Sequence, residues 1–395
     1  MEGNFPNASF WDLDACVNKQ EELIIDNAAF DVAIVGGGIL GCSVARVLRN
    51  EAPHLRCVVV ERGQRPLGAS TRNAGFACFG SVGEIIEDIN SMGAAAAKQL
   101  VERRIDGLRR LRNHVADQDI GFQLAGGNEI FLNDDPALER INEVNQLLAP
   151  LFPTSPFELR DDLITTYGLS AKVKHLIHTP YEGMLHSGKL LNNLQHENVI
   201  TGTVTAIDVN NSDYHTLKVT STAASHYGNA DLSIHAKKVV IATNAWLSEL
   251  VPTLEVVPAR GQVLVTKPID GLALHGTFHM NAGYVYFRNV GQRVLLGGGR
   301  NLAFEIERTT HMITTETIQQ YLDELLSTII VPERSAEVDM RWAGVMAFTK
   351  NKQPMVVEVD AGVVAAVTCN GMGVALASRT AADVAAVVLH NVSST

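Results

Sequence analysis

An α/β fold with a buried parallel sheet is what this sequence predicts, and three stretches predict it. Asp31 to Val35 is apolar and β-branched, stops at Gly36, Gly38 and Gly41, and runs at once into a helical pattern. "RCVVVE" then makes a second short apolar run that ends at Glu61. Near the far end, "VVAAVT" is followed by the glycine turn "CNGMG" and an alanine-rich stretch, again strand, turn and helix.

The first of these has mechanical reasons in every part. The helix from Ile39 to about Asn50 carries Leu40, Val44, Val47 and Leu48 at helical spacing. Gly36 permits the tight turn, Gly38 lets main chain approach a diphosphate, and Gly41 lets the helix close on the strand. Backbone N–H groups at a helix N-terminus attract anions. Glu61, 20 residues after Gly41, stands where a carboxylate accepts from two ribose hydroxyls, and an acid there disfavours a 2′-phosphate. The alternative is a β-turn-helix that only packs. The third stretch repeats the arrangement, with Gly371, Met372, Gly373 and Val374 offering N–H groups at the start of a helix from Val374 to about Leu389.

Bulk properties narrow the function. A length of 395 residues suggests two or three domains, or one large α/β body with an insert. With 43 acidic and 32 basic residues the net charge is −11, which argues against nucleic acid and anionic membrane surfaces as partners. Cys16, Cys42, Cys57, Cys78 and Cys369 are odd in number and widely spaced, so neither a disulfide framework nor a zinc knuckle is expected. The thirteen histidines show no metal-ligand spacing, and no metal is expected. The first thirty residues lack a basic start and an apolar core, and read as an extension packing Phe10 and Trp11 on the body. No apolar run approaches about 18 residues, so no membrane span is expected, and the location expected is cytoplasmic.

"ERGQRPLGASTRNAGFACFGS", Glu61 to Ser81, is small, polar and glycine-rich, suited to a loop running along an extended ligand. Here the sequence resembles the FAD-dependent amine and amino-acid oxidoreductases of the D-amino-acid oxidase, glycine oxidase and sarcosine oxidase group. The wording "GAS-x-RN-x-G" and the aromatic "SFW" before the first strand are closest to the γ-glutamylputrescine oxidoreductase-like branch. Further stretches follow the family's order: "NVITGTVTAIDV", "KKVVIATNAW", "VPARGQVLVT", "GYVYFRNVGQRVLLGGG", "RWAGVMAFTKNKQPMV" and "CNGMGVALA".

The resemblance implies noncovalent FAD in a Rossmann-like, glutathione-reductase-type domain. It also implies a substrate domain with a mixed, largely antiparallel sheet. The expected cofactor contacts are Gly36, Gly38, Ile39, Leu40, Gly41, Glu61 and Arg62 at the first bend, and Ser70, Thr71, Arg72, Asn73, Ala74 and Gly75 along the loop. Val204, Thr243, Asn244, Trp246 and Gly344 are expected at strand ends, and Gly371, Met372, Gly373, Val374 and Ala375 at the closing helix. The FAD domain is expected in three pieces, 28–90, 180–255 and 337–395, and the substrate domain in two, 91–179 and 256–336, after an extension over 1–27.

Other elements follow from patterning. Ser91–Arg112 reads as one amphipathic helix, "GFQLAGGNEIFLND" as two strands with a glycine turn, and Thr315–Thr328 as a helix. "NNSDYHTLKVTSTAASHYGNADL" reads as a hairpin.

The family oxidises a C–N bond by hydride transfer to flavin N5, with hydrolysis of the imine. Tyr284, Tyr286, Arg288 and Arg300 are the candidates for substrate contact, because alternation puts Tyr284, Tyr286 and Arg288 on one face and Arg300 follows "GGG". Packing for the tyrosines and solvation for the arginines remain open. Several departures matter. Where relatives read "GLRPxTxDGxP" this chain has "GVMAFTKNKQP", so Met346 replaces the arginine that pairs with an α-carboxylate, and Asn351 replaces the aspartate. No cysteine lies between Arg341 and Val356 to attach flavin, and Leu295 stands where an oxygen-activating lysine would. An amine or amino-acid oxidoreductase, with an electron acceptor other than O₂ open, is therefore the leading reading. A 2-hydroxy-acid dehydrogenase of the same fold and a flavin-binding protein without turnover are the alternatives.

Overall fold

A computed structural model describes residues 7–15, 27–195, 198–209, 213–221 and 230–390. Cys16 and most of the polar segment around residue 225 lie outside them. Two eight-stranded sheets organise the chain.

The first sheet grows from the apolar runs. Its order is Met355–Asp360, Val363–Val367, Ala230–Ile241, Ala28–Val35, Cys57–Glu61 and Val199–Thr201. Neighbours are parallel except the outermost pair, Met355–Asp360 and Val363–Val367. Val35 stands opposite Val60 on one side and Ile241 on the other, so three strand ends finish level beside the glycine bend. Alternation divides the residues: Val32 and Ile34 pack under Ile39–Glu51 and Gly373–His390, while Ala33 and Val35 meet Leu217, Val219 and Leu247 on the other face. His215–Ser221 pairs antiparallel with Ala230–Ile241 and with Thr203–Asp208, as the expected hairpin requires.

The second sheet runs Val338–Phe348, Val257–Thr266, Arg293–Gly298, Val285–Val290, Thr277–Met280, Gly127–Phe131, His175–Thr179 and Glu158–Leu159. Only Thr277–Met280 and Gly127–Phe131 are parallel. It is the mixed, largely antiparallel sheet that the sequence led us to expect. Glu316–Leu325 covers one face through Ile318, Leu322 and Leu325, set against Leu264, Leu296 and Phe287. A π-helical turn, Leu326–Ile330, extends it.

Four local expectations need correction. Ser91–Arg112 is not one helix: Gly93, at φ +85°, ends Val82–Met92 and starts Ala94–His114. Ala94–His114 also packs with the first sheet's helices. A Cβ on Gly107 would lie 1.9 Å from the Ala375 carbonyl oxygen, so glycine lets the two helices touch. "GFQLAGGNEIFLND" yields one strand, Gly127–Phe131, because the chain before it makes only an isolated bridge from Gln123 to Met184. Finally, Val338–Phe348 hydrogen-bonds along Val257–Thr266, so the segment 337–395 divides between the two sheets.

Gly373–His390 is, among the described residues, the one helix long and apolar enough to cross a membrane. Its buried residues pack in the core, Val374, Leu376 and Ala377 with Cys42, Leu100 and Leu111, and Ala381, Val384, Ala385 and Val388 with Val44, Val47 and Leu48.

Candidate active site

A cleft of about 2580 Å³, its open mouth included, runs from the glycine bend to the face of the second sheet. Its first end is built by backbone. Gly36 has φ +108°, and a Cβ there would lie 2.6 Å from the Ala242 carbonyl oxygen, so only glycine fits. A Cβ on Gly41 would lie 1.9 Å from the Gly36 carbonyl oxygen, which is why the helix can begin directly beneath the strand end. Ile39 N–H donates to Ser70 Oγ at 2.9 Å, pinning the later loop to the helix start. Glu61 is buried and accepts from Gly37 N–H at 2.8 Å and Gly63 N–H at 3.2 Å. Burial pushes its carboxyl above the usual range, partly offset by those bonds. Arg62 stacks on the Trp246 ring at 3.7 Å, and both line the cleft with Val204. Thr243 Oγ1 is buried there without a partner.

Asn244 holds φ +51°, a left-handed conformation that asparagine tolerates. Its side chain donates to Val345 O at 3.1 Å and accepts from Thr368 Oγ1 at 3.0 Å, joining the two sheets at the cleft floor.

The loop 69–75 is held from outside by the N-terminal segment. Phe10–Asp14 is a short helix with a reciprocal Ser9–Asp12 capping box. Asp12 meets Arg72 at 2.8 Å and 3.3 Å, with the two side chains 6% and 2% exposed. Trp11 Nε1 donates to Asn73 O at 2.6 Å and Trp342 Nε1 donates to Arg72 O at 3.1 Å. Asn7 pairs in both directions with the Ala343 backbone, beside Gly344.

The second sheet supplies the opposite wall. Tyr286, Tyr284, Met346, Phe348 and Arg300 line it. Burial pushes the Tyr286 hydroxyl up to about 12, so it stays protonated and can donate. The Arg300 guanidinium sits among three rings, 4.6 Å from Phe348, 5.0 Å from Tyr284 and 5.3 Å from Phe304. No ion pair forms on it among the described residues, and burial lowers its pKa.

A third wall is acidic. Glu84, Glu87 and Asp88 face the cleft from Val82–Met92, together with Lys352, Arg104 and His279. Behind them Glu129 accepts from Ser81 Oγ at 3.0 Å and Gly83 N–H at 2.9 Å, and burial pushes its carboxyl to about 8. Burial raises Glu182 too, although it accepts from Phe79 and Gly80 N–H.

The cleft thus gathers Gly36, Gly38, Ile39, Leu40, Glu61, Arg62, Ser70, Arg72, Asn73, Ala74, Gly75, Val204, Thr243, Asn244, Trp246, Gly344 and 371–375, with Tyr284, Tyr286 and Arg300. Gly41 and Thr71 lie behind its surface. Arg288 is the one substrate candidate the structure removes. It is buried and donates to Ala74 O, Gly75 O and Leu185 O at 3.3, 3.0 and 2.8 Å, bracing the loop from beneath. His279, Glu84, Glu87, Asp88 and Phe348 were not picked out from sequence. Only Glu84 carries a local signal, the capping-box spacing from Ser81. The residues fit a dinucleotide: glycine-shaped backbone at the bend, a buried acid at its side, and a partnerless hydroxyl in the wall.

No curated protein sequence matches the chain. Solved structures share its fold. An L-proline dehydrogenase from P. horikoshii aligns at TM-score 0.74 and 16% identity, over 92% of this chain and 94% of that one. A glycine oxidase from Geobacillus kaustophilus gives 0.72 and 18%, over 92% and 95%. An L-α-glycerophosphate oxidase from Mycoplasma pneumoniae with FAD bound gives 0.69 and 16%, over 91% and 95%. The model of the DAO family, described as FAD dependent oxidoreductase, matches residues 31–387, nearly the whole chain. The chain belongs to the DAO family of FAD-dependent oxidoreductases.

Proposed function

We propose that this enzyme oxidises the C–N bond of a small amino acid or amine that carries an anionic group, seated on Arg300. One observation carries the reading: Arg300 is a half-buried cation in an aromatic cage within the cleft, and among the described residues no carboxylate lies within ion-pair distance of it, Glu87 acting on it only from further away. A cation so placed favours a carboxylate that brings its own charge. It does so from the strand end after Gly299, not from the position that Met346 occupies.

FAD would be held with its diphosphate at Gly36, Gly38, Ile39 and Ser70, a ribose on Glu61, and the adenine beside Arg62, Val204 and Trp246. Its ring end would lie by Arg72–Gly75, Gly344 and the helix start at Gly371–Ala375, where first-turn N–H groups favour negative charge. Bound FAD supplies the two-electron acceptor. The chain does the rest. Arg300 orients the substrate, Tyr286 offers a proton-bearing hydroxyl, and Phe76, Phe348 and Met346 keep the reacting end dry. Cys78 and Cys369 line the cleft, but burial pushes Cys369 up to about 12 and Cys78 well above its usual value, so both stay thiols. That supports noncovalent FAD. Leu295 is sealed in the core with Val263, Val265 and Trp342 and does not line the cleft, so an acceptor other than O₂ rests on the sequence resemblance alone. The branch assignment rests on two stretches that touch: Trp11 of "SFW" bonds to Asn73 of "GASTRNAG".

A 2-hydroxy acid would offer Arg300 the same carboxylate, and the glycerophosphate oxidase shares the fold. Anaerobic mixing decides: amino acids bleach the flavin and their decarboxylated amines do so more weakly. Bleaching by 2-hydroxy acids alone would refute the reading.

A further inference from the structure

The cleft carries unbalanced charge of both signs on separate walls. On the sheet wall it is Arg300. On the helix wall the pairing leaves one acid over. Lys352 Nζ lies 3.3 Å from Asp88 and 3.7 Å from Glu87, and Arg104 lies 3.5 Å from Asp88, so two cations answer those two carboxylates. Glu84 has no lysine or arginine partner among the described residues.

Glu84 is also fixed in place. Its Oε2 accepts from Ser81 N–H at 3.0 Å, and its carboxylate packs against the Gly283 backbone, where an added Cβ would lie 2.7 Å away. Beside it stands His279, 5% exposed, with Nδ1 3.3 Å from Glu84 Oε2 but not aligned for a hydrogen bond. Neither ring nitrogen has a hydrogen-bond partner, although both are buried and the residue lines the cleft. The ring is held edge-on to Phe76 at 5.2 Å. A buried imidazole without partners is costly in a closed protein and sensible beside a polar ligand.

We propose that Glu84 and His279 form a subsite for a second, cationic nitrogen of the substrate. The molecule oxidised then carries an anionic group for Arg300 and a separate ammonium or guanidinium for Glu84. This rests on the reading that the substrate is an amine, and it narrows that reading to doubly functional molecules such as diamino acids. The nitrogen held here is protonated and is not the one oxidised, so its charge is conserved through the reaction.

The test compares ornithine and lysine with their uncharged isosteres, norleucine and 2-aminoheptanoate, in anaerobic flavin reduction by wild type and Glu84→Gln. Glutamine at the third helical position keeps the capping box, so the variant folds. A charged hydrogen-bond partner predicts about 10- to 100-fold higher kcat/KM for the cationic substrates, lost in the variant through KM while the isosteres are unchanged. Equal use of both classes, or an equal fall for both in the variant, overturns the subsite. A second arm needs no turnover: 4-guanidinobutanoate should perturb the flavin absorption of wild type and bind at least about 10-fold more weakly to Glu84→Gln. If no amino acid reduces the flavin but this difference persists, the proposed reaction fails and the subsite stands. If binding is the same in both proteins, the subsite fails whatever the reaction is.

Discussion

Replacing Asp12 by alanine tests how the N-terminal segment holds the cofactor loop. The Arg72 guanidinium is 2% exposed and takes two contacts from the Asp12 carboxylate. It also donates to Asn7 O at 3.0 Å and to Thr71 Oγ1. Burial already works against its charge, and Asp12 is the group that opposes this. Truncating Asp12 leaves a buried cation without a counter-ion, which costs about 3–5 kcal/mol. Loss of the reciprocal cap at Ser9 adds about 1 kcal/mol. The comparison is Asp117→Ala, which removes the partner of Arg112 in a pair whose side chains are 41% and 44% exposed. That change should cost less than about 1 kcal/mol, because solvent screens the pair. Urea unfolding of the two variants beside wild type measures the difference. A third protein, Asp12→Ala with Arg72→Met, should recover most of the loss, because removing both charges removes the unpaired one. Equal midpoints for the Asp12 and Asp117 variants, or no recovery in the double variant, would refute the reasoning.

Three further outcomes follow from the geometry. Gly36→Ala puts a Cβ 2.6 Å from a backbone oxygen at φ +108°, so the protein should purify with little FAD and bind it at least about 10-fold more weakly by fluorescence titration. Arg300→Ala should keep FAD but lower kcat/KM for carboxylate-bearing substrates by about 100-fold, with smaller loss for decarboxylated amines. Burial pushes the Glu129 carboxyl up to about 8 from an ordinary value of 4.5, so the folded state binds more protons than the unfolded one between those values. Stability should fall as pH rises from about 4.5 to 8, by up to about 1.4 kcal/mol per pH unit from this group, and Glu129→Gln should flatten that slope in denaturation curves.

What was readable in the sequence is what backbone dictates. Gly36 and Gly41 announce their turn because no side chain fits there, and Glu61 announces itself by its distance from the bend. The strand pattern of Val285–Val290 gave the face shared by Tyr286 and Arg288. It could not tell that the cleft ends between them and that Arg288 passes beneath the Ala74–Gly75 carbonyls. Met346 showed that the family's carboxylate arginine was missing, but the nature of Arg300's site depends on Tyr284, Phe304 and Phe348, which meet only in the fold. His279 and Glu84 are nearly two hundred residues apart and belong to different elements. Nothing local distinguishes a strand histidine in a core from one left without partners at a cleft. The docking of Gly107 on Ala375 was likewise decided by tertiary contact, and the helix break at Gly93 by a positive φ that periodicity does not register.

The central claim is that the glycine bend holds the diphosphate of FAD and Glu61 its ribose. A crystal structure of the protein grown with FAD tests it most directly. The account requires the diphosphate against Gly38 and Ile39, with Glu61 on ribose hydroxyls and the ring reaching the Arg300 wall. FAD bound elsewhere, or a bend closed by side chains with the cofactor present in solution, would contradict it.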